Sequence, residues 1–102
     1  MRSAISLDAT VRASREQVSC NLVDEVIILS LRKGGYFGLN PVAATVWEMI
    51  QEARPVVEVR DMLLQEYVVE ADECTRELLA LLQRLAEWEL VEIVNSSGQE
   101  SL

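Results

Sequence analysis

The feature that most constrains the fold is a change in the spacing of apolar residues at Asn40-Pro41. Before this point apolar residues alternate with polar ones or form short β-branched runs, in the segments 18–22, 25–31 and 36–39. These patterns are typical of β-strands. After it, apolar residues recur every three or four positions, as in helices that bury one face. The sequence therefore predicts an α+β domain in which a sheet comes first and helices follow.

Short turns are predicted between the strands. Asp24 lies between the first two segments, and Arg32-Lys33-Gly34-Gly35 supplies the permissive backbone of a second turn. The three strands should therefore form an antiparallel meander. The segments 5–7 and 10–11 either add another strand or pack across the sheet, and the residues leave both alternatives open.

The first helix has a clear start signal. Asn40 is a favoured N-cap, and Pro41 suits the first helical position because no partner is needed there for its missing N–H. Pro55 closes the connection to a second helix near Val57 to Tyr67. This second helix is short, and it places Val59, Met62, Leu63 and Tyr67 on one face.

A third helix is predicted from about Asp72 to Trp88, and the alternating segment 90–94 follows as a terminal strand or wing. The order is winged-helix-like: a three-stranded antiparallel sheet followed by three helices and a short terminal strand. A chain of 102 residues fits one folding unit. We predict a domain over residues 16–94, an N-terminal extension over 1–15 and a flexible, polar tail over 95–102.

The third helix has an unusually wide apolar arc. At about 100° per residue its apolar residues cover roughly half of the helix, whereas covering a small sheet needs a stripe of only ~100°. Either part of this arc lines a groove, or the core wraps around both sides of the helix. The residues concerned are Cys74, Leu78, Leu79, Leu81, Leu82, Leu85, Ala86 and Trp88.

Charge argues against nucleic acid. The chain has nine Lys and Arg against 17 Asp and Glu, a net charge of −8, which is the wrong sign for binding phosphates. The polar face of the third helix, which would meet DNA in a winged-helix regulator, has three acids against two arginines. A transcription regulator is therefore the less favoured alternative.

The residue types also argue against catalysis. The chain has no histidine, the commonest general base and a usual zinc ligand, and its carboxylates lie beside arginines on predicted helix faces. We expect no enzymatic activity, no metal and no cofactor. Cys20 and Cys74 are expected to be buried free thiols. With no signal peptide or membrane-length apolar run, the expected location is the cytoplasm, with no membrane partner.

With nucleic-acid binding and catalysis disfavoured, peptide recognition is the remaining class of function. The third strand is short and ends the meander, so it is expected to be an exposed edge whose unpaired N–H and C=O groups can accept an added peptide strand. If the third helix lies beside this edge, the two make a groove. Such an edge can also pair with a second copy, so a monomer and a strand-exchanged dimer are both open.

Several segments together resemble the PqqD-like family of precursor-peptide recognition elements, over about residues 16–94. They are Tyr36-Phe-Gly-Leu-Asn-Pro-Val-Ala-Ala-Thr-Val-Trp47, Glu66-Tyr67, Glu77-Leu78, Leu81-Leu82, Leu85 and Leu90-Val91. The resemblance implies a winged-helix-like peptide chaperone that binds the leader of a ribosomally made precursor as an antiparallel strand, between the third strand and the third helix. The implied contacts are Tyr36, Phe37, Gly38, Leu39, Glu73, Glu77, Ala80, Leu81 and Arg84, with the flank of Arg76 and Leu79 as the opposite choice.

Within the family, the chain looks most like the free-standing leader-binding protein of lasso-peptide biosynthesis. That subfamily implies two partners: a leader peptidase of the cysteine protease type, and a macrolactam synthetase. The runner-up is the pyrroloquinoline-quinone type, which presents its peptide to a radical-SAM enzyme. The chain departs from many relatives at residues 54–57, which lack the Gly and Thr or Ser that cap the second helix. Its negative charge favours a leader that is neutral or basic around apolar anchors.

Overall fold

A computed structural model describes residues 5–15, 17–21 and 26–94. It confirms the α+β class and the predicted succession of a three-stranded meander, three helices and a terminal strand. The predicted turn at Asp24 and the predicted flexible tail lie outside the described residues. The elements are β1 (Thr10–Ala13), β2 (Gln17–Asn21), β3 (Val26–Ser30), β4 (Tyr36–Leu39), α1 (Pro41–Met49), β5 (Arg54–Pro55), α2 (Val56–Glu66), α3 (Ala71–Glu87) and β6 (Val91–Val94).

The predicted meander is the antiparallel sheet β2-β3-β4. Its second turn forms at the predicted glycine pair: Ser30 N donates to Gly35 O at 2.8 Å, and Gly34 N donates to Ser30 O at 2.8 Å. Gly34 has a φ of 80°, a left-handed conformation that glycine adopts without steric cost. The turn fixes where β4 begins.

A second sheet, in the order β5-β1-β6, was not predicted. The terminal strand predicted over residues 90–94 is β6, and it pairs along its whole length with β1, from Thr10 opposite Val94 to Ala13 opposite Val91. The alternative left open for residues 10–11 is thereby resolved as a strand. Pairing between strands about 80 positions apart leaves no local signature in the sequence. The division at residue 15 stays a prediction.

The helices begin as the sequence predicts. The Asn40 side chain accepts a hydrogen bond from Ala43 N at 2.8 Å, and Pro41 occupies the first turn of α1. Helix α2 follows Pro55 and has no side-chain cap, as expected from residues 54–57. None of the helices among the described residues is long and apolar enough to cross a membrane.

The two sheets and three helices share one hydrophobic core. Ile28 of β3, Val11 of β1 and Leu82 of α3 are fully buried in it. Cys74 is buried, as predicted, but the prediction for Cys20 is wrong, because this residue is exposed. Cys20 lies opposite Ile27 in the register, on the sheet face that points away from the buried side chain of Ile28. Alternation predicted the strand but not which of its faces is buried.

Candidate functional site

Strand β4 has one free edge. In the part of the chain that the structure describes, it pairs with β3 alone. Because Ser30 N donates to Gly35 O, these two residues form a hydrogen-bonded pair. In an antiparallel ladder such pairs recur at every second residue. Phe37 and Leu39 therefore direct their backbone groups toward β3.

The intervening residues, Tyr36 and Gly38, direct their N–H and C=O groups away from β3. Their side-chain positions are exposed, with Tyr36 72% exposed. The alternate positions face inward, and the side chain of Leu39 is 1% exposed. The strand thus joins the core through one set of residues and offers backbone donors and acceptors through the other.

The start of β4 is fixed against the end of α3. The rings of Phe37 and Trp88 meet edge to face with centroids 6.1 Å apart. A Cβ added to Gly35 would lie 2.7 Å from the Trp88 ring, so this glycine permits a close approach. Ser30 Oγ also donates to the Trp88 carbonyl at 3.0 Å. The β3–β4 turn and the C-terminal end of α3 are therefore held together.

A cleft of about 630 Å³ lies between α3, the start of α1 and the end of α2. We call it the α3 cleft. Asn40, which follows β4 directly, lies in its wall, so the cleft begins where the strand ends. Its lining consists of Asn40, Val42, Ala43, Val46, Leu63, Tyr67, Val69, Glu73, Cys74, Arg76, Glu77, Leu78, Ala80, Leu81 and Arg84.

The floor of the α3 cleft is apolar and continuous with the core. Val46, Leu63 and Leu78 line it and are also part of the buried core. At one wall the Tyr67 hydroxyl lies 3.2 Å from the hydroxyl of Thr45, within hydrogen-bonding distance. An apolar side chain that enters the cleft would therefore replace water on a preformed apolar surface.

The rim of the α3 cleft is charged. Glu73, Arg76, Glu77 and Arg84 all line it and are exposed. None of the ion pairs found among the described residues involves any of these four side chains. Their charges are thus available to a ligand in the cleft.

One nucleophile, Cys74, lines the α3 cleft. Burial raises the pKa of its thiol, and the nearby Arg60 offsets this only in part. A thiol with a raised pKa stays protonated near neutral pH, and the protonated form is a poor nucleophile. Among the described residues there is also no group of three or more His, Cys, Asp or Glu side chains that could hold a metal ion.

The structure brings together all the helix residues that the resemblance implied. Glu73, Glu77, Ala80, Leu81 and Arg84 lie along the α3 cleft. The strand residues Tyr36, Phe37, Gly38 and Leu39 make up β4 and do not line the cleft itself. Of the opposite flank, Arg76 lines the cleft and Leu79 packs against the core instead. That these residues contact a peptide stays a prediction.

Sequence reasoning missed the side of the cleft that faces α3. Val42 and Val69 line the cleft and are exposed, and Tyr67 and Asn40 complete that side. A signal was present at Val69, which follows another valine in the short connection between α2 and α3. Apolar residues in an otherwise exposed connection often mark a binding surface.

Comparison with known families places the chain. Residues 25–91 match the family described as coenzyme PQQ synthesis protein D (PqqD). This match spans well over half of the 102 residues, and the chain belongs to the PqqD family. A comparison with curated proteins found no match.

Two solved structures share the fold. The first, TbiB1 in complex with the TbiA(beta) leader peptide, is 38% identical, with a TM-score of 0.72 over 79% of this chain and 94% of that chain. The second, lasso peptide synthetase B1 complexed with the leader peptide, is 26% identical, with a TM-score of 0.71 over 80% of this chain and 96% of the other. The resemblance predicted from the sequence is confirmed, including its similarity to lasso-peptide proteins.

Proposed function

We propose that this chain is an adaptor that binds the leader segment of a ribosomally made precursor peptide as a strand added to β4. The observation that carries the proposal is the free edge of β4 beside a preformed apolar cleft. Both solved neighbours were determined with a leader peptide bound, which supports the same ligand class here.

Affinity would come from two sources. The outward backbone groups of Tyr36 and Gly38 offer hydrogen bonds to any sequence, as in other cases of strand addition. Specificity would come from the α3 cleft, because every second side chain of an added strand faces the same way. One or two apolar side chains on that face would bury themselves against Val46, Leu63 and Leu78.

The proposed pathway is lasso-peptide maturation, with the leader presented to a cysteine-protease leader peptidase and then to a macrolactam synthetase. The similarity to a lasso peptide synthetase B1 protein supports this choice. The second candidate is presentation to a radical-SAM enzyme, which the description of the PqqD family favours. Either task belongs in the cytoplasm, where ribosomes make the precursor.

The adaptor is proposed to be non-catalytic. In support, the thiol that lines the cleft has a pKa raised by burial, and the cleft offers a binding surface rather than an activated nucleophile. Incubation of the purified protein with a precursor peptide should leave the peptide mass unchanged in mass spectrometry. A new peptide mass would make the protein an enzyme. A shift of duplex DNA in a low-salt gel would instead favour the regulator alternative.

Strand addition is tested at Gly38. Its N–H points away from β3, so Gly38→Pro removes a donor from the free edge and keeps every bond to β3. Gly38→Ala is the matched control, because it adds a methyl group and keeps the donor. Leu39→Pro does not serve, since the N–H of Leu39 faces β3 and its side chain is buried.

The measurement is fluorescence anisotropy with labelled TbiA(beta) leader peptide. Gly38→Pro should weaken binding at least about tenfold through the lost hydrogen bond and the steric block, and Gly38→Ala should bind within about twofold. Circular dichroism confirms that both variants are folded. A folded Gly38→Pro variant with unchanged affinity would show that the peptide does not add to β4.

A further inference from the structure

The charges on the cleft side of α3 are separated along the helix. Glu73 and Glu77 lie one turn apart near its N-terminal end, and Arg84 lies two turns further on. Arg76 sits beside the two acids and offsets one of them. The cleft therefore has a net negative end and a positive end, joined by the small side chain of Ala80 and the apolar Leu81.

Charged side chains on neighbouring elements, in contrast, form ion pairs with one another. On α2 and just before it, Arg60 pairs with Asp61 at 3.1 Å, and Arg54 pairs with Glu58 at 3.7 Å. No such pair occupies Glu73, Glu77 or Arg84 within the described ranges 5–15, 17–21 and 26–94. A charged side chain of a peptide in the cleft would therefore displace no described side chain from an ion pair with Glu73, Glu77 or Arg84.

The structure also sets the direction of an added strand relative to these charges. The start of β4 lies against Trp88 at the end of α3, and the end of β4 leads through Asn40 into the cleft. Strand β4 and helix α3 therefore run in opposite directions. An antiparallel partner, the slightly more stable arrangement, runs in the same direction as α3. Its N-terminal part passes Glu73 and Glu77, and its C-terminal part passes Arg84.

The number of leader residues between the two charged ends of the cleft follows from the rise per residue of a helix and of a strand. At ~1.5 Å per helical residue, Arg84 lies about 10 Å along the helix from Glu77 and about 16 Å from Glu73. An extended strand at ~3.4 Å per residue covers this range in about three to five residues. Only an even spacing puts both side chains on one face of the strand, so about four residues separate them.

We propose, resting on the proposed function, that the α3 cleft reads the charge of the leader at two positions. Glu73 and Glu77 take a lysine or arginine of the leader, and Arg84 takes an aspartate or glutamate about four residues closer to the leader's C-terminus. The apolar anchors lie between or beside these positions. The charges thus fix the direction and register of a strand whose backbone bonds alone would tolerate several registers.

The experiment is selection of a display library of random peptides on the immobilised protein. Enriched peptides that lose binding to Gly38→Pro are kept as β4-edge ligands and aligned. They should carry a basic residue about four positions before an acidic one. In anisotropy, a selected peptide with its two charges exchanged should bind about tenfold more weakly, since two attractive contacts become two repulsive ones. This difference should shrink as salt is raised.

Protein variants assign each position. Arg84→Glu should change the selected acidic residue to a basic one and leave the first position unchanged. Glu73→Lys with Glu77→Lys should change the basic residue to an acidic one and leave the second unchanged. All three side chains are exposed, so the variants should fold. The matched controls are Arg15→Glu and Glu48→Lys, which alter exposed charges outside the cleft and should leave the selected pattern unaltered.

The experiment distinguishes failure of the charge proposal from failure of the proposed function. If β4-edge ligands are enriched without the charge pattern, or if Arg84→Glu leaves the pattern as it was, the charge proposal is wrong and the leader-binding function stands. If no enriched peptide depends on Gly38, strand addition fails and the charge proposal fails with it.

Discussion

The two long sides of α3 differ in what they contact. One side, formed by Cys74, Leu78, Leu82 and Leu85, is buried in the core. The adjacent side faces the α3 cleft and is mostly exposed, and it combines two acids, two arginines, a small residue and the partly buried Leu81. The helix thus supports the fold with one side and presents a binding surface with the other. Substitutions on the two sides should therefore change different measurable quantities.

The largest expected effect is on stability and belongs to the core side. Leu82 is 0% exposed, so Leu82→Ala should lower the free energy of unfolding by ~2–5 kcal/mol through lost burial and the cavity left behind. Leu81→Ala, one position along the helix, should lower it by less and should weaken leader binding. Urea unfolding measures the first quantity. Equal losses of stability at both positions would mean that the cleft side is also core.

The next largest effect is expected at the contact between the end of α3 and the β3–β4 turn. Gly35→Ala would place a Cβ 2.7 Å from the Trp88 ring, and the forced shift should cost ~1–3 kcal/mol of stability. In the background of Trp88→Leu the same change should cost much less, because the ring is gone. Thermal unfolding of the four proteins gives this coupling. Additive effects would show that contact with Trp88 is not the reason for glycine at this position.

A substitution on the cleft side should cause a smaller free-energy change, and this change should appear in leader binding and not in stability. Ala80 is exposed and lines the cleft, so Ala80→Trp should fill the space and weaken leader binding about tenfold, or ~1.4 kcal/mol. The free energy of unfolding should change by less than ~0.5 kcal/mol. Gln65→Trp, on the exposed surface of α2 outside the cleft, is the control. Unchanged binding in anisotropy for the Ala80 variant would place the ligand elsewhere.

The smallest perturbation uses the two cysteines as reporters. Cys20 is exposed and Cys74 is buried in the cleft floor with a raised pKa. Because the thiolate is the reactive form, iodoacetamide should label Cys74 more slowly, and its labelling should rise only at higher pH than that of an ordinary thiol. Leader peptide should slow Cys74 further and leave Cys20 unaffected, as followed by mass spectrometry. Equal protection of both thiols would indicate a global effect rather than occupation of the cleft.

Local order was predictable from the sequence. The spacing of apolar residues changes at Asn40-Pro41, where a capping side chain and a proline start a helix by acting on neighbouring backbone groups. In the structure the Asn40 side chain accepts the cap hydrogen bond from Ala43 N at 2.8 Å. The Gly34-Gly35 turn and the start of α2 without a side-chain cap have the same local origin. The residues predicted on the cleft side of α3 came from the family resemblance together with the 3.6-residue period, which fixes the side chains that share a face.

The sequence by itself therefore determined the strands of the β2-β3-β4 meander, the three helices, their order and the family resemblance, because each of these depends on patterns of residues close together along the chain. Tertiary structure decided the pairing of β1 with β6, the exposed face of Cys20, the outward direction of Gly38 and the closure of the cleft by Val42, Tyr67 and Val69. These features arise where segments distant along the chain meet. A local pattern predicts that a strand has a partner or that an element has a buried face. Only the packed fold decides which strand is the partner and which face is buried.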